Sequence, residues 1–83
     1  MSSNIYVGNL SYNMSDDELK NLFQEHGDVI SAKIIKDKNT GRSKGFGFVE
    51  MSDDNAGDAA INKLNGANIK GRNLKVNPAK SKN

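Results

Sequence analysis

Residues 44–51 read Lys44-Gly45-Phe46-Gly47-Phe48-Val49-Glu50-Met51, and no other stretch of the chain restricts its fold so strongly. Alternation of this kind is the period of a β-strand, which sends successive side chains to opposite faces. One face would carry Lys44, Phe46, Phe48 and Glu50, and the other Gly45, Gly47, Val49 and Met51. Hydrophobicity favours burying the two phenylalanines, each worth about 1.5–3 kcal/mol when sequestered. That register also buries Lys44 and Glu50, whose charges resist the interior. The opposite register buries Val49 and Met51 and lets the glycines admit a closely packed helix. Pattern alone leaves both registers open. The stretch Ile5-Tyr6-Val7-Gly8-Asn9-Leu10 poses the same choice, since Ile5 and Val7 inward leaves Tyr6 and Gly8 outward.

The remaining elements fall around these two strands. Ser15-Asp16-Asp17-Glu18 is a capping box, with acids suited to the positive end of a helix dipole. Leu19, Leu22, Phe23 and His26 follow on one helical face, and Gly27 is expected to close the helix in the left-handed conformation. Val29 to Lys36 reads as a strand with Ile30, Ala32 and Ile34 on one side and Ser31, Lys33 and Ile35 on the other. A turn-rich loop, Asp37 to Ser43, leads into the strand at 44–51. Ser52, Asp53 or Asp54 can cap a second helix, with Ala56, Ala59, Ala60, Ile61 and Leu64 on its apolar side and Asn65-Gly66 at its end. Gly57 should weaken that helix by about 1 kcal/mol relative to Ala. A last strand near Asn73-Leu74-Lys75-Val76-Asn77 stops at Pro78. The order is β-α-β-β-α-β, an α+β sandwich of the ferredoxin-like kind. Its four-stranded antiparallel sheet should run 4-1-3-2, with both helices on one face and the other face open to water. Residues 3–79 form the expected domain, and 80–83 a short, basic, disordered tail.

Composition removes several functions. The chain has 83 residues and no cysteine, which excludes disulfides, thiolate zinc sites and thiol nucleophiles. No apolar run approaches the roughly 20 residues that cross a bilayer, and Met1-Ser2-Ser3-Asn4 lacks a signal-peptide pattern. The cytosol is the expected compartment, or the nucleus in a eukaryote. The net charge of +2 hides an uneven distribution. Residues 33–44 hold Lys33, Lys36, Lys38, Arg42 and Lys44 against Asp37 alone, a net +4, and residues 70–82 hold Lys70, Arg72, Lys75, Lys80 and Lys82 with no acid, a net +5. The rest holds Lys20 and Lys63 against nine acids, a net −7. If the fold gathers the two basic segments, one side of the molecule faces polyanions.

With these residues in view, the octamer at 44–51 resembles the RNP1 signature of the RNA recognition motif family, K/R-G-F/Y-G/A-F-V-x-F/Y, at seven of eight positions. Ile5 to Leu10 resembles the companion RNP2 hexamer, and Asn65-Gly66 with Gly71 to Val76 resembles the family's closing segment. The likeness covers about residues 4 to 79 and is nearest to small single-domain members of the glycine-rich RNA-binding group, without their glycine-rich tail. Met51 departs from the signature where an aromatic is usual, at a position that alternation turns into the core.

The resemblance implies the outward register and a non-catalytic binder of single-stranded RNA, with single-stranded DNA as the variant ligand. Its roles would lie in post-transcriptional regulation or RNA chaperoning. Tyr6 and Phe48 would each stack a base and Phe46 would pack against sugars. Lys44 and Arg42 would meet phosphates, and Lys33 and Lys75 would widen the basic field. Asn9, Asn77 and the segment to Lys80 would bond base edges. A monomer without cofactor, metal or membrane contact is expected. The competing reading is a protein–protein interaction module whose acidic helical side meets a basic partner. An enzyme fits poorly, since a single His26 and no convergent acid–base cluster offer no catalytic centre. Asp37 to Gly41 has a calcium-loop look but lacks the ligand at its fifth position, and Tyr12 is expected to pack rather than bind.

Overall fold

The computed structural model describes residues 3–79. The expected tail at 80–83 and the candidate Lys80 lie outside the described residues. The elements are β1 (Ser3–Gly8), α1 (Asp16–Gln24), β2 (Val29–Lys36), β3 (Ser43–Met51), α2 (Asp54–Leu64), β4 (Asn68–Ile69), β5 (Arg72–Asn73) and β6 (Lys75–Pro78). The main sheet runs β2-β3-β1-β6, antiparallel at every junction, and β4 with β5 makes a separate small hairpin. Counting β6 as the fourth long strand, this is the order expected from the sequence.

The core lies between one sheet face and the helices. Ile5 and Val7 of β1, Ile34 of β2, Val49 and Met51 of β3 and Val76 of β6 meet Leu19 and Phe23 of α1 and Ala60 and Leu64 of α2. No polar or charged side chain is buried among the described residues. Met51 is fully buried, so its departure from the signature is a matter of packing. Both helix starts follow from their caps. The Ser15 hydroxyl accepts from the Glu18 N–H at 3.1 Å while the Glu18 carboxylate accepts from the Ser15 N–H at 2.9 Å, and Asp53 accepts from the Ala56 N–H at 3.3 Å.

Four local expectations are corrected. Helix α1 stops at Gln24 rather than running through His26, because the His26 and Gly27 amides bond three residues back and tighten the last turn. Gly27 has φ +155°, away from the left-handed helical value but still a positive-φ conformation that side-chain-bearing residues rarely adopt, and a Cβ there would stand 2.5 Å from the Ala56 Cβ. Its small size lets the turn pass under α2. In β2, a register shift between Val29 and Ser31 inserts one residue. Val29 packs on the core in place of Ile30, which is 55% exposed. In α2, Ala59 is exposed, and Gly57 is buried where a Cβ would come 2.6 Å from the Ser3 Cβ. The helix-weakening glycine is the one that lets α2 settle onto β1.

The last strand also begins later than expected, at Lys75. Asn73 belongs to the β4–β5 hairpin, whose two-residue turn has positive φ at Lys70 (+54°) and Gly71 (+83°). That is the geometry whose twist suits a tight hairpin. Leu74 bonds Ala67 through its N–H and Gly66 through its carbonyl, so the hairpin's pairing runs on to the residue before β6. Helix ends reach both outer strands. The Asp16 carboxylate accepts the Ile34 N–H of β2 at 2.8 Å, and the Asn65 side-chain carbonyl accepts the Val76 N–H of β6 at 3.1 Å.

Candidate nucleic-acid interface

The register of β3 decides what the open face carries. Gly45, Gly47, Val49 and Met51 are turned inward, and Lys44, Phe46, Phe48 and Glu50 outward. The glycines on the inward side serve neighbours other than a helix. A Cβ on Gly47 would come 2.5 Å from the Lys33 carbonyl oxygen, so this position lets β2 close on β3. Gly45, at φ +85°, sits beneath the Tyr12 ring, 3.1 Å from where a Cβ would be.

Strand pairing sets the outward residues in a row. Lys33 lies opposite Phe48, Phe48 opposite Tyr6, and Tyr6 opposite Asn77. One step along, Gly8 lies opposite Lys75. At the other end of the face, Glu50 pairs with Ser31 and Asn4, so the basic character belongs to the Lys44 end.

Tyr6, Phe46 and Phe48 form a nearly equilateral cluster, with ring centroids 5.9, 5.9 and 6.0 Å apart. Phe48 stands edge-on to Phe46 at 89° and is 42% exposed. Tyr6 and Phe46 are half-buried, each leaning on the other rings. Tyr6 also lies along its own strand over Gly8: a Cβ on Gly8 would be 2.5 Å from the Tyr6 hydroxyl and 2.9 Å from its ring. Gly8 is buried by that ring although it points to the open face. Tyr6, Phe46, Lys44 and Lys75 share one open cleft at the basic end. Arg42 lines a neighbouring recess with Lys36 and Ser43, and Lys44 borders both. Lys33, Lys44 and Lys75 are exposed, and the one ion pair among the described residues lies elsewhere, between Lys70 and Glu18 at 2.9 Å. The Lys70 ammonium, helped by the Ser15 N–H, holds the Glu18 carboxyl below its ordinary value.

Asn9 is placed differently from its expected base-reading position. Its side-chain carbonyl accepts two bonds from the Arg72 guanidinium, at 3.0 and 3.3 Å, and its amide donates to the Asn73 carbonyl at 2.8 Å. Asn77 is exposed beside Tyr6. Asp37, the first residue of the calcium-like run, accepts the Asn39 and Thr40 amides at 2.7 and 3.3 Å, the work of a turn residue.

Two residues outside the expected set border the same cleft. Tyr12 is 64% exposed, against the expectation that it packs, and the Arg72 guanidinium carbon stands 5.6 Å from its ring centroid. The available signals were an aromatic in a loop with no periodic apolar partner, and an arginine in an acid-free run.

Comparison with known proteins agrees with this geometry. The chain is 46% identical over 79 residues to glycine-rich RNA-binding protein 2, mitochondrial, of Arabidopsis thaliana, covering 95% of this chain and 50% of that protein. It spans half or less of the length of several such curated relatives. Among solved structures, the RNA binding protein PG1 superposes with a TM-score of 0.93 at 47% identity, covering 98% of both chains. The Rna15 RRM with bound RNA (GU) superposes with a TM-score of 0.85 at 32% identity, covering 94% of this chain and 83% of that one. The RNA recognition motif matches residues 5–75, which takes in both outward-facing aromatic strands and the start of β6, and the chain belongs to that family.

Proposed function

We propose that this chain binds short single-stranded RNA on the open face of its β2-β3-β1-β6 sheet, as a monomer and without catalysing a reaction. The observation that carries this is the Tyr6, Phe46 and Phe48 cluster at the sheet centre, beside lysines free of ion pairs with described carboxylates. An aromatic cluster turned to water costs a domain solubility unless a partner covers it, and unstacked bases are flat partners of the right size.

In this reading Phe48, the most exposed ring of the cluster, stacks one base, Tyr6 stacks the next, and Phe46 packs against the sugars between them. Lys44 takes a phosphate at the mouth of the cleft, Arg42 a neighbouring one from its recess, and Lys33 and Lys75 flank the strand. Asn77, in line with Tyr6, meets a base edge. Asn9 supports the site through Arg72 instead of touching a base. The cellular role is post-transcriptional regulation or RNA chaperoning. The setting is the cytosol, or the nucleus in a eukaryote, with the chloroplast and mitochondrion named for relatives as the alternatives.

The test is the double substitution Phe46→Ala and Phe48→Ala. Both rings lie outside the buried core, so the fold should survive. Stacking worth about 1–3 kcal/mol per base sets the expected loss at tenfold or more in RNA affinity. Amide shift changes on adding RNA should fall on β1 and β3. A folded double mutant with undiminished affinity, or shifts confined to α1 and α2, refutes the assignment.

A further inference from the structure

Along β3 the outward residues run Lys44, Phe46, Phe48, Glu50, about 7 Å apart, the spacing of alternate residues on a strand. With a phosphate at Lys44, sugars on Phe46 and a base on Phe48, the strand follows one nucleotide from its phosphate outward. Glu50 is the next residue in that row, where the far edge of the base comes to lie. Its cross-strand neighbours are Ser31 of β2 and Asn4 of β1, both neutral and exposed, so no cation faces it directly across the sheet. The Tyr6 ring leaves this end of the face clear, because it leans along β1 over Gly8 and away from Asn4. Glu50 is half-buried, and the one ion pair among the described residues lies elsewhere.

A carboxylate on a face otherwise suited to a polyanion repels phosphate, so this end of the sheet is left to the bases. An ionised carboxylate only accepts hydrogen bonds, and splayed bases present their Watson–Crick edges to such groups. Guanine alone offers two adjacent donors there, N1–H and the N2 amine, which match both oxygens of a carboxylate and make a charge-assisted pair of bonds. Adenine and cytosine offer one amine beside a ring nitrogen whose lone pair repels the second oxygen. Uracil offers one N–H between two carbonyls. We propose that Glu50 is a specificity-determining residue, which selects guanine for the base stacked on Phe48 by accepting both N–H groups of its Watson–Crick edge. This inference rests on RNA binding to the sheet face and adds a base preference to it.

The experiment measures anisotropy of 5′-fluorescein-labelled RNA octamers with the whole chain, and an amide spectrum checks that each variant is folded. The strands are octauridylate and the same octamer with one central uridine changed to guanosine, inosine, adenosine or cytidine. The parent chain is expected to bind the guanosine strand about five- to tenfold more tightly than octauridylate, the lower range of a bidentate base contact because Glu50 is only half-buried. Inosine keeps N1–H but lacks the N2 amine, and should lose most of that gain. Glu50→Gln keeps the size of the side chain but not its pair of acceptors. It should bind the guanosine and uridine strands nearly equally, with no loss of affinity for octauridylate. Equal binding of the guanosine and inosine strands by the parent chain overturns the proposal, as does an undiminished guanosine preference in Glu50→Gln. Phe48→Ala, run beside them, separates the two readings. If it weakens binding to every strand while the parent shows no guanosine preference, the sheet face stands and the selection by Glu50 falls. If Phe48→Ala binds every strand as tightly as the parent, the sheet-face reading itself falls.

Discussion

Replacing Gly8 by Ala tests the position of a stacking ring without touching the ring. Gly8 points to the open face, and the Tyr6 phenol lies over it, so an added Cβ would stand 2.5 Å from the hydroxyl and 2.9 Å from two ring carbons. Ordinary contact needs roughly 3.5–4.0 Å, so the ring must lift or swing by about 1 Å. Gly8 is not among the positive-φ residues, which spares the backbone, and Tyr6 can turn at its rotatable bonds. The expected cost in stability is therefore small, within the roughly 1–3 kcal/mol of an overpacked site and at its low end because the neighbour is a half-exposed ring. The cost in binding is separate. If Tyr6 stacks a base for about 1–3 kcal/mol, a misplaced ring forfeits much of that, or about 5- to 150-fold in affinity at most. Urea denaturation and RNA titration of Gly8→Ala, Tyr6→Leu and the double variant form a cycle. Because Gly8 acts through Tyr6, the alanine should cost little once Tyr6 is gone. Equal losses in both backgrounds would refute the argument, as would full affinity in Gly8→Ala.

Other outcomes follow from the same geometry. RNA affinity should fall linearly with salt on logarithmic axes, with a slope near −3 if Lys33, Arg42, Lys44 and Lys75 each neutralise one phosphate at about −0.7 apiece, and Lys33→Ala should flatten it by about that increment. A salt-independent titration would contradict the basic rim. Glu18, whose carboxyl is held below its ordinary value near 4.5 by Lys70, adds stability that is present above the unfolded pKa and is lost as pH falls toward the folded one. Urea midpoints of the parent chain and Glu18→Gln should thus differ at pH 7 and converge in acid; a gap that persists unchanged at pH 3 refutes the linkage. Asp16→Ala removes the acceptor of the Ile34 N–H and should cost about 1–3 kcal/mol, whereas Asp16→Asn keeps an acceptor and should lose only about 0.3–1 kcal/mol of helix-dipole energy. Equal denaturation midpoints for the two would show that the bond contributes nothing.

Much of the frame was legible because it is written in local chemistry. The capping box at Ser15, the alternation in 44–51 and the order of the elements each depend on neighbours a few residues apart. The outward register was open from pattern alone. Its resolution agrees with the cost of burying Lys44 and Glu50, both of which stay on the water side. What escaped depends on distant partners. The bulge that turns Ile30 outward is one inserted residue, and no residue type marks it when Val29 is equally able to fill the core. The β4–β5 turn uses Lys70-Gly71 where Asn-Gly would be the usual sign, so no local signal marks the hairpin. Asn9 could bond a base or a protein group with the same amide. Its partner Arg72 is 63 residues away, and only the folded chain shows that the amide is already engaged.

The bonds from Asp16 to β2 and from Asn65 to β6 bear on how neighbouring copies would behave. An outer strand with an unbroken row of free amides is a template on which another chain can zip. Here the outward amides of Ile34 and Val76 are already taken, Pro78 has none to give, and the hairpin bonds cover Leu74. Copies crowded side by side therefore meet interrupted edges, and can lie close together without their sheets fusing into a continuous ribbon.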